Sequence, residues 1–145
     1  MILDAALLFD NGIEHLTTEA STDYIDLGPG ASRNIGVGET LYFVSIVTVA
    51  FTDASSNSTM TLTLETETDS AFGSATTVQT IGTFGALSAI GSRLIAKIQP
   101  DAILERYLRV KYTVANGDLS TGKFKSFITK DIQAWTAYAD NITIS

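Results

Sequence analysis

The chain has 145 residues, 45% of them hydrophobic and only 17% charged, with a formal net charge of −7 and a pI near 4.4. One domain around one core is the expectation at this length, and the acidity argues against a nucleic-acid ligand or an anionic membrane surface. Without cysteine there are no disulfides and no thiolate metal sites. A charged fraction below the usual value of about 25% fits a surface meant for protein contact, or an all-β domain that uses Thr where helical proteins use Glu and Lys.

In chain order, Met1 to Phe9 is apolar but interrupted by Asp4 and lacks a basic leader, so it reads as neither signal peptide nor membrane span. Two readings stand for residues 1–10: an arm that packs on another molecule, or a segment that covers its own sheet edge. Asn11-Gly12 is a turn signal. Thr22 to Leu27 alternates, with Tyr24 opposed to Ile25 and Leu27, and ends at Gly28-Pro-Gly30. Arg33 to Glu39 is loop-like; its glycines lack the Gly-Lys-Ser/Thr of a phosphate loop and no helical pattern follows. Thr40 to Phe51 is a long apolar run that predicts a central strand buried on both faces.

After the polar loop Asp53 to Ser58, the stretch Met60 to Thr68 alternates strictly. Met60, Leu62 and Leu64 form a core face, and Thr61, Thr63, Glu65 and Glu67 a wet face. Asp69 to Ser74 predicts a turn with Phe72 as its apolar anchor. Thr76 to Phe84 is a further strand with Val78 and Ile81 inward, and Gly85 to Gly91 a small apolar crossing. Leu94 to Ile98 is a short strand. In Arg106 to Val114, Leu108, Val110, Tyr112 and Val114 share one face. Ala115-Asn-Gly-Asp118 reads as a hairpin turn, so Lys123 to Lys130 is expected to pair with the strand before it. Ile132, Trp135, Tyr138 and Ile142 mark an apolar C-terminal stretch. About eight strands with no amphipathic helix predict an all-β fold spanning 1–145 as one domain, an antiparallel sandwich, jelly roll or small barrel among which periodicity does not choose.

Chemistry is sparse. His15 is the only histidine, and no Gly-x-Ser-x-Gly elbow accompanies it, so a surface or capping role is expected rather than catalysis. Glu65, Glu67 and Asp69 resemble neither a calcium loop nor a glycosidase pair and read as a solvated, mutually repelling row. Arg106, Arg109, Lys111, Lys123, Lys125 and Lys130 gather basic charge late in the chain. If the last two strands pair, they form one stripe for an acidic partner; otherwise they balance Glu65, Glu67 and Asp69. Trp135 with Tyr138 suits a sugar platform or an oligomer contact, although a core Trp is the commoner role in a small β domain.

The order Met1-Ile-Leu-Asp4, Ile25-Asp-Leu27, Arg33-Asn-Ile-Gly-Val-Gly-Glu39 and Leu64-Glu-Thr66 with Asp69 and Phe72 resembles the Bbp16-type capsid cement proteins of tailed bacteriophages. Arg106 to Val114, Gly117, Leu119, Thr121-Gly122-Lys123 and Asp131-Ile-Gln133 extend the likeness over most of the chain; the Gly85–Gly91 crossing and the Trp135 region depart from it. The resemblance implies a jelly-roll-like fold with no enzymatic activity, no cofactor and no metal. It implies a homo-oligomer, dimer favoured over trimer, on the outer surface of the virion. There it clamps adjacent subunits of the major capsid protein after synthesis in the host bacterial cytoplasm. Candidate capsid or oligomer contacts are Ile2, Leu3, Leu7, Leu8 and Phe9 of the arm, with Arg109, Lys111, Trp135 and Tyr138. Deleting residues 1–9 is expected to abolish capsid binding and spare the fold. The alternative is a carbohydrate-binding β-sandwich, a receptor-binding or lectin-like module.

Overall fold

The computed structural model describes residues 5–29, 40–99, 104–130 and 132. A short 3-10 turn, Ala5–Leu7, leads into β1 (Leu8–Glu14), β2 (Glu19–Ala20), β3 (Ile25–Asp26), β4 (Tyr42–Thr52), β5 (Thr59–Glu67), β6 (Thr76–Phe84), β7 (Arg93–Lys97), β8 (Tyr107–Ala115) and β9 (Thr121–Thr129). Every described pairing is antiparallel. The first sheet has the order β1-β9-β4-β7; the second has β2-β8-β5-β6, with β3 also on β8 beyond the end of β2.

Counted from the ends inward, β1 pairs β9, β2 and β3 pair β8, β4 pairs β7 and β5 pairs β6. The chain is thus one long hairpin. Wrapping it on itself brings β9 beside β4 and β8 beside β5, which is the jelly roll, with β2 and β3 together forming one interrupted strand. The expected fold class holds.

The strand faces follow the residue alternation. Met60, Leu62 and Leu64 of β5 and Leu108, Val110 and Tyr112 of β8 face Phe43, Val47, Phe51 and Phe124 of the first sheet in the main core. β4 lies inside its sheet and is covered on both faces, as its sequence predicts: Val44 and Ile46 join Phe127 in a second apolar cluster on the opposite side. Val78 and Ile81 pack only at the core margin. At one end of the core Phe51 packs edge to face on both Phe84 and Phe124, the latter at 4.7 Å.

Two expectations are overturned. Asn11-Gly12 is not a turn but lies within β1, where Gly12 at φ 73° accompanies a register shift against β9. β9 does not pair with β8 either. Residues 116–120 cross between the sheets because Leu119 plugs into the core and its N–H donates to the Leu16 carbonyl, while Ser120 N–H donates to the Thr52 carbonyl. The link is therefore held by other elements and cannot fold back as a hairpin.

The loop Asp53 to Ser58 is built on one carboxylate. Asp53 accepts from the N–H groups of Ser55, Asn57 and Ser58. Hydrogen bonds from Ser58, by side chain and backbone, and from the Ser55 N–H hold its pKa down at about 2. A depressed aspartate contributes stability in full above its unfolded value of 3.8 and loses it as the pH falls through about 2. Thermal melts from pH 5 down to about 2 are expected to show this loss below 3.8. In Asp53→Asn that part of the acid sensitivity disappears; an unchanged acid profile in the variant would refute the assignment.

Candidate interaction surface

The densest polar cluster lies between the sheets. A register shift between Leu8 and Asp10 turns two consecutive β1 residues inward: Phe9 against Phe43, and the Asp10 carboxylate into the polar centre. Asp10 Oδ2 accepts from the Tyr112 hydroxyl at 2.6 Å, and Oδ1 from the Thr22 N–H at 3.0 Å. The Tyr112 hydroxyl also lies 2.7 Å from Ser126 Oγ, which is 2.9 Å from Ser45 Oγ. His15 stacks on the Tyr112 ring at 4.1 Å. Its Nε2 lies 3.3 Å from Asp10 Oδ2 and its Nδ1 3.2 Å from Glu19 Oε1. Neither contact is an aligned hydrogen bond, so both are close polar contacts. With His15 2% exposed, the surface or capping role expected for it is replaced by a place in the interior.

Burial pushes the Asp10 pKa up, but His15, the Tyr112 hydroxyl and the Thr22 N–H outweigh it and hold the carboxyl below its ordinary value. Burial first, then the charge of Asp10, drives the Tyr112 phenol well above its ordinary value. Asp10, His15, Tyr112, Ser45 and Ser126 are all buried, while Glu19 and Thr22 at the margin reach water. The arrangement links β1, β4 and β9 of one sheet to β2 and β8 of the other. Chemically it is a polar staple closed to ligands of any size.

The surface candidates divide. Ile2, Leu3, Trp135 and Tyr138 lie outside the described residues. Leu7 and Leu8 are half-buried, Leu8 in the outer cluster of the first sheet. Phe9 is 0% exposed, so its ring is closed to a partner, and β1 is an edge strand of the chain's own sheet from Leu8 onward. Removing residues 1–9 would take a core ring and a strand end with it; the expectation that such a deletion spares the fold is corrected.

Arg109 and Lys111 lie on the outer face of β8 beside Glu65 of β5, not beside Lys123 and Lys125, which belong to the other sheet. The single basic stripe therefore does not form. Arg109 Nη2 lies 2.8 Å and Lys111 Nζ 3.9 Å from Glu65 carboxylate oxygens. The solvated acidic row is corrected too. Glu65 is 6% exposed, and Glu67 is 8% exposed with its carboxylate accepting from the Thr68 and Ser74 N–H groups. Glu65→Ala is expected to cost about 1–2 kcal/mol, because Arg109 loses its partner while staying partly hydrated. Urea unfolding measures it, and no loss of stability would show that Arg109 is satisfied by water alone.

Arg109 also leads to a grouping that residue patterns did not reveal. Its guanidinium stands 4.4 Å over the Phe72 ring. Phe72 neighbours Tyr24 at 6.1 Å, and Tyr24 meets Tyr107 edge to face at 5.3 Å. Arg106 lies 4.9 Å over Tyr107 and grips Asp26 through Nε at 2.9 Å and Nη2 at 2.8 Å. Phe72 stood out as the apolar anchor of its turn and Tyr24 as the residue opposed to Ile25 and Leu27, but β3, the loop after β5 and β8 are far apart in sequence, and the β3–β8 and β5–β8 pairings bring them together. Elsewhere, Leu87 and Ile90 are exposed on the loop between β6 and β7. Among the described residues no set of His, Asp and Glu is arranged to hold a metal ion.

A search among curated proteins returned no match. The Bbp16 family model matches residues 14–128, a span that runs from the end of β1 through nearly all of β9. The chain therefore belongs to the Bbp16 family, a phage-related family.

Proposed function

We propose that this protein is a capsid cement protein: a non-enzymatic structural protein that binds the outside of an icosahedral phage head and clamps adjacent major capsid protein subunits. The observation that carries this reading is the Bbp16 match across the jelly roll. The side-chain chemistry is compatible with it. Among the described residues, the dense polar cluster around Asp10 is buried between the sheets, while rings, guanidinium groups and aliphatic side chains stand at the surface.

The mechanism is mass action. A ligand that binds only the assembled, expanded shell stabilises it by RT ln(1 + [L]/Kd) at each site. Symmetric repetition sums many modest contacts, and a homodimeric protein would add avidity by bridging neighbouring subunits. The acidic net charge suits a position on the outer face of the shell, away from packaged DNA.

Co-sedimentation with phage heads that lack the protein, before and after expansion, tests the reading. Saturable binding to expanded heads, with a raised temperature of head disruption, is the expected result. A folded protein that binds no head at any concentration would overturn it.

A further inference from the structure

The most informative feature outside the sealed core is the aromatic and arginine cluster on the outer side of the second sheet. Tyr24 is 49% exposed, one of the few large apolar side chains left to water. It is not a loosely hung ring. The Asp23 N–H donates to the Phe9 carbonyl, the Ser21 hydroxyl to the Asp23 carbonyl, and the Leu27 N–H to the Arg106 carbonyl. Phe72, on which the cluster rests, is fixed by its N–H to the Asp69 carbonyl and adopts φ 52°, a left-handed conformation costly for a phenylalanine. The neighbouring Glu67 carboxylate pins both sides of that loop through Thr68 and Ser74. A strained and tightly held ring beneath an exposed tyrosine is a preorganised contact, and little side-chain entropy remains to be lost on binding.

The charges in the cluster point to what it meets. Both Asp26 oxygens are engaged by Arg106, with the Gly28 N–H on Oδ1 as well, and Glu65 is engaged by Arg109. The carboxylates that could receive sugar hydroxyl groups here are thus already engaged by arginine. What remains is ring surface, with Tyr24 about half exposed. That is the composition of an interface anchor, tyrosine and arginine in a rigid setting, with ion pairs neutralised in place. Leu87 and Ile90 are as exposed, but their loop carries neither an aromatic nor an arginine anchor.

We infer that Tyr24, Tyr107 and Phe72, with Arg106 locked to Asp26, form the anchor by which the protein grips an uncharged patch of a shell protein subunit. This rests on the cement reading. The partner presents an apolar side chain to the Tyr24 ring and a backbone carbonyl to its hydroxyl, and supplies no countercharge.

The test is co-sedimentation with expanded heads lacking the protein, using wild type, Tyr24→Ala, Arg106→Ala and the control Leu87→Ser. Tyr24→Ala is expected to weaken binding about tenfold or more, and Leu87→Ser to leave it unchanged. Wild-type binding is expected to persist at about 1 M salt, where screening acts within about 3 Å. Hydroxyl-radical footprinting of the wild type on heads should protect Tyr24 and Tyr107 but not Leu87, and reads the contact even if a variant folds poorly. Wild-type affinity in Tyr24→Ala and Arg106→Ala, or no protection of Tyr24, overturns the anchor and leaves the cement reading standing. Failure of the wild type to bind any head overturns both. Binding of the wild type to a glycan array that is lost in Tyr24→Ala assigns the cluster to sugar instead.

Discussion

Asp10→Ala is expected to lower stability by about 3–5 kcal/mol, the range for breaking a buried, hydrogen-bonded charge cluster by removing one member. Asp10 is 1% exposed and accepts from both the Tyr112 hydroxyl and the Thr22 N–H. Without it, the Tyr112 hydroxyl and the His15 ring stay in the interior with no carboxylate between them, and the Thr22 N–H loses its acceptor. Water cannot replace it cheaply, because Tyr112, Ser45 and Ser126 are closed to solvent as well. Asp10→Asn keeps the shape and one acceptor and should cost less, about 1–3 kcal/mol. Urea unfolding at neutral pH gives both values; a loss below about 1 kcal/mol for the alanine variant would mean that the staple is dispensable. A double-mutant cycle with Tyr112→Phe should be strongly non-additive, since the two side chains share one hydrogen bond.

Depression of the Asp10 pKa gives this cluster a pH signature of known sign. Its contribution is complete above the unfolded value of 3.8 and is lost as the pH falls through the lower folded value. Asp10→Asn should therefore flatten the acid limb of the stability curve while lowering its plateau.

Gly122→Ala is expected to cost about 3 kcal/mol, combining overpacking with a backbone conformation that L residues avoid. Gly122 sits near the start of β9 at φ 151°, and a Cβ there would stand 2.6 Å from Phe51 Cδ1 and 2.9 Å from its Cε1. Phe51 has little room to retreat, because its ring packs edge to face on Phe84 and Phe124. The contrast is Gly85→Ala, where nothing lies within 4 Å of the added methyl; a change within about 0.5 kcal/mol is expected there. Equal effects at the two glycines would refute the packing argument.

What could be read without coordinates was whatever depends on residue alternation. Met60, Leu62 and Leu64 on one face of β5, and Leu108 to Val114 on one face of β8, follow from the period of two, and the unbroken apolar run of β4 marks a strand covered on both sides. The eight or so strands and the all-β class came from the same pattern, whereas the jelly-roll form was implied by the family resemblance. The interaction surface was legible only in part. Arg109 and Lys111 share a face of one strand, but alternation is silent on which strand lies alongside, so the choice between a basic stripe and pairing with Glu65 awaited the β5–β8 register.

The sequence by itself therefore determined the all-β class and the inward face of most strands, because both are carried by residues near one another in the chain, and it determined the family through an order of short motifs spread over most of the chain. Only the tertiary structure decided that β9 leaves β8 for the other sheet, since Leu119 had to find a place in the core. It alone placed Asp10 and His15 inside, through a register shift that breaks the alternation by one residue. It alone gathered Tyr24, Phe72 and Tyr107. Each of these outcomes depends on pairing between segments far apart in sequence, where the free energy comes from partners that a local pattern does not contain.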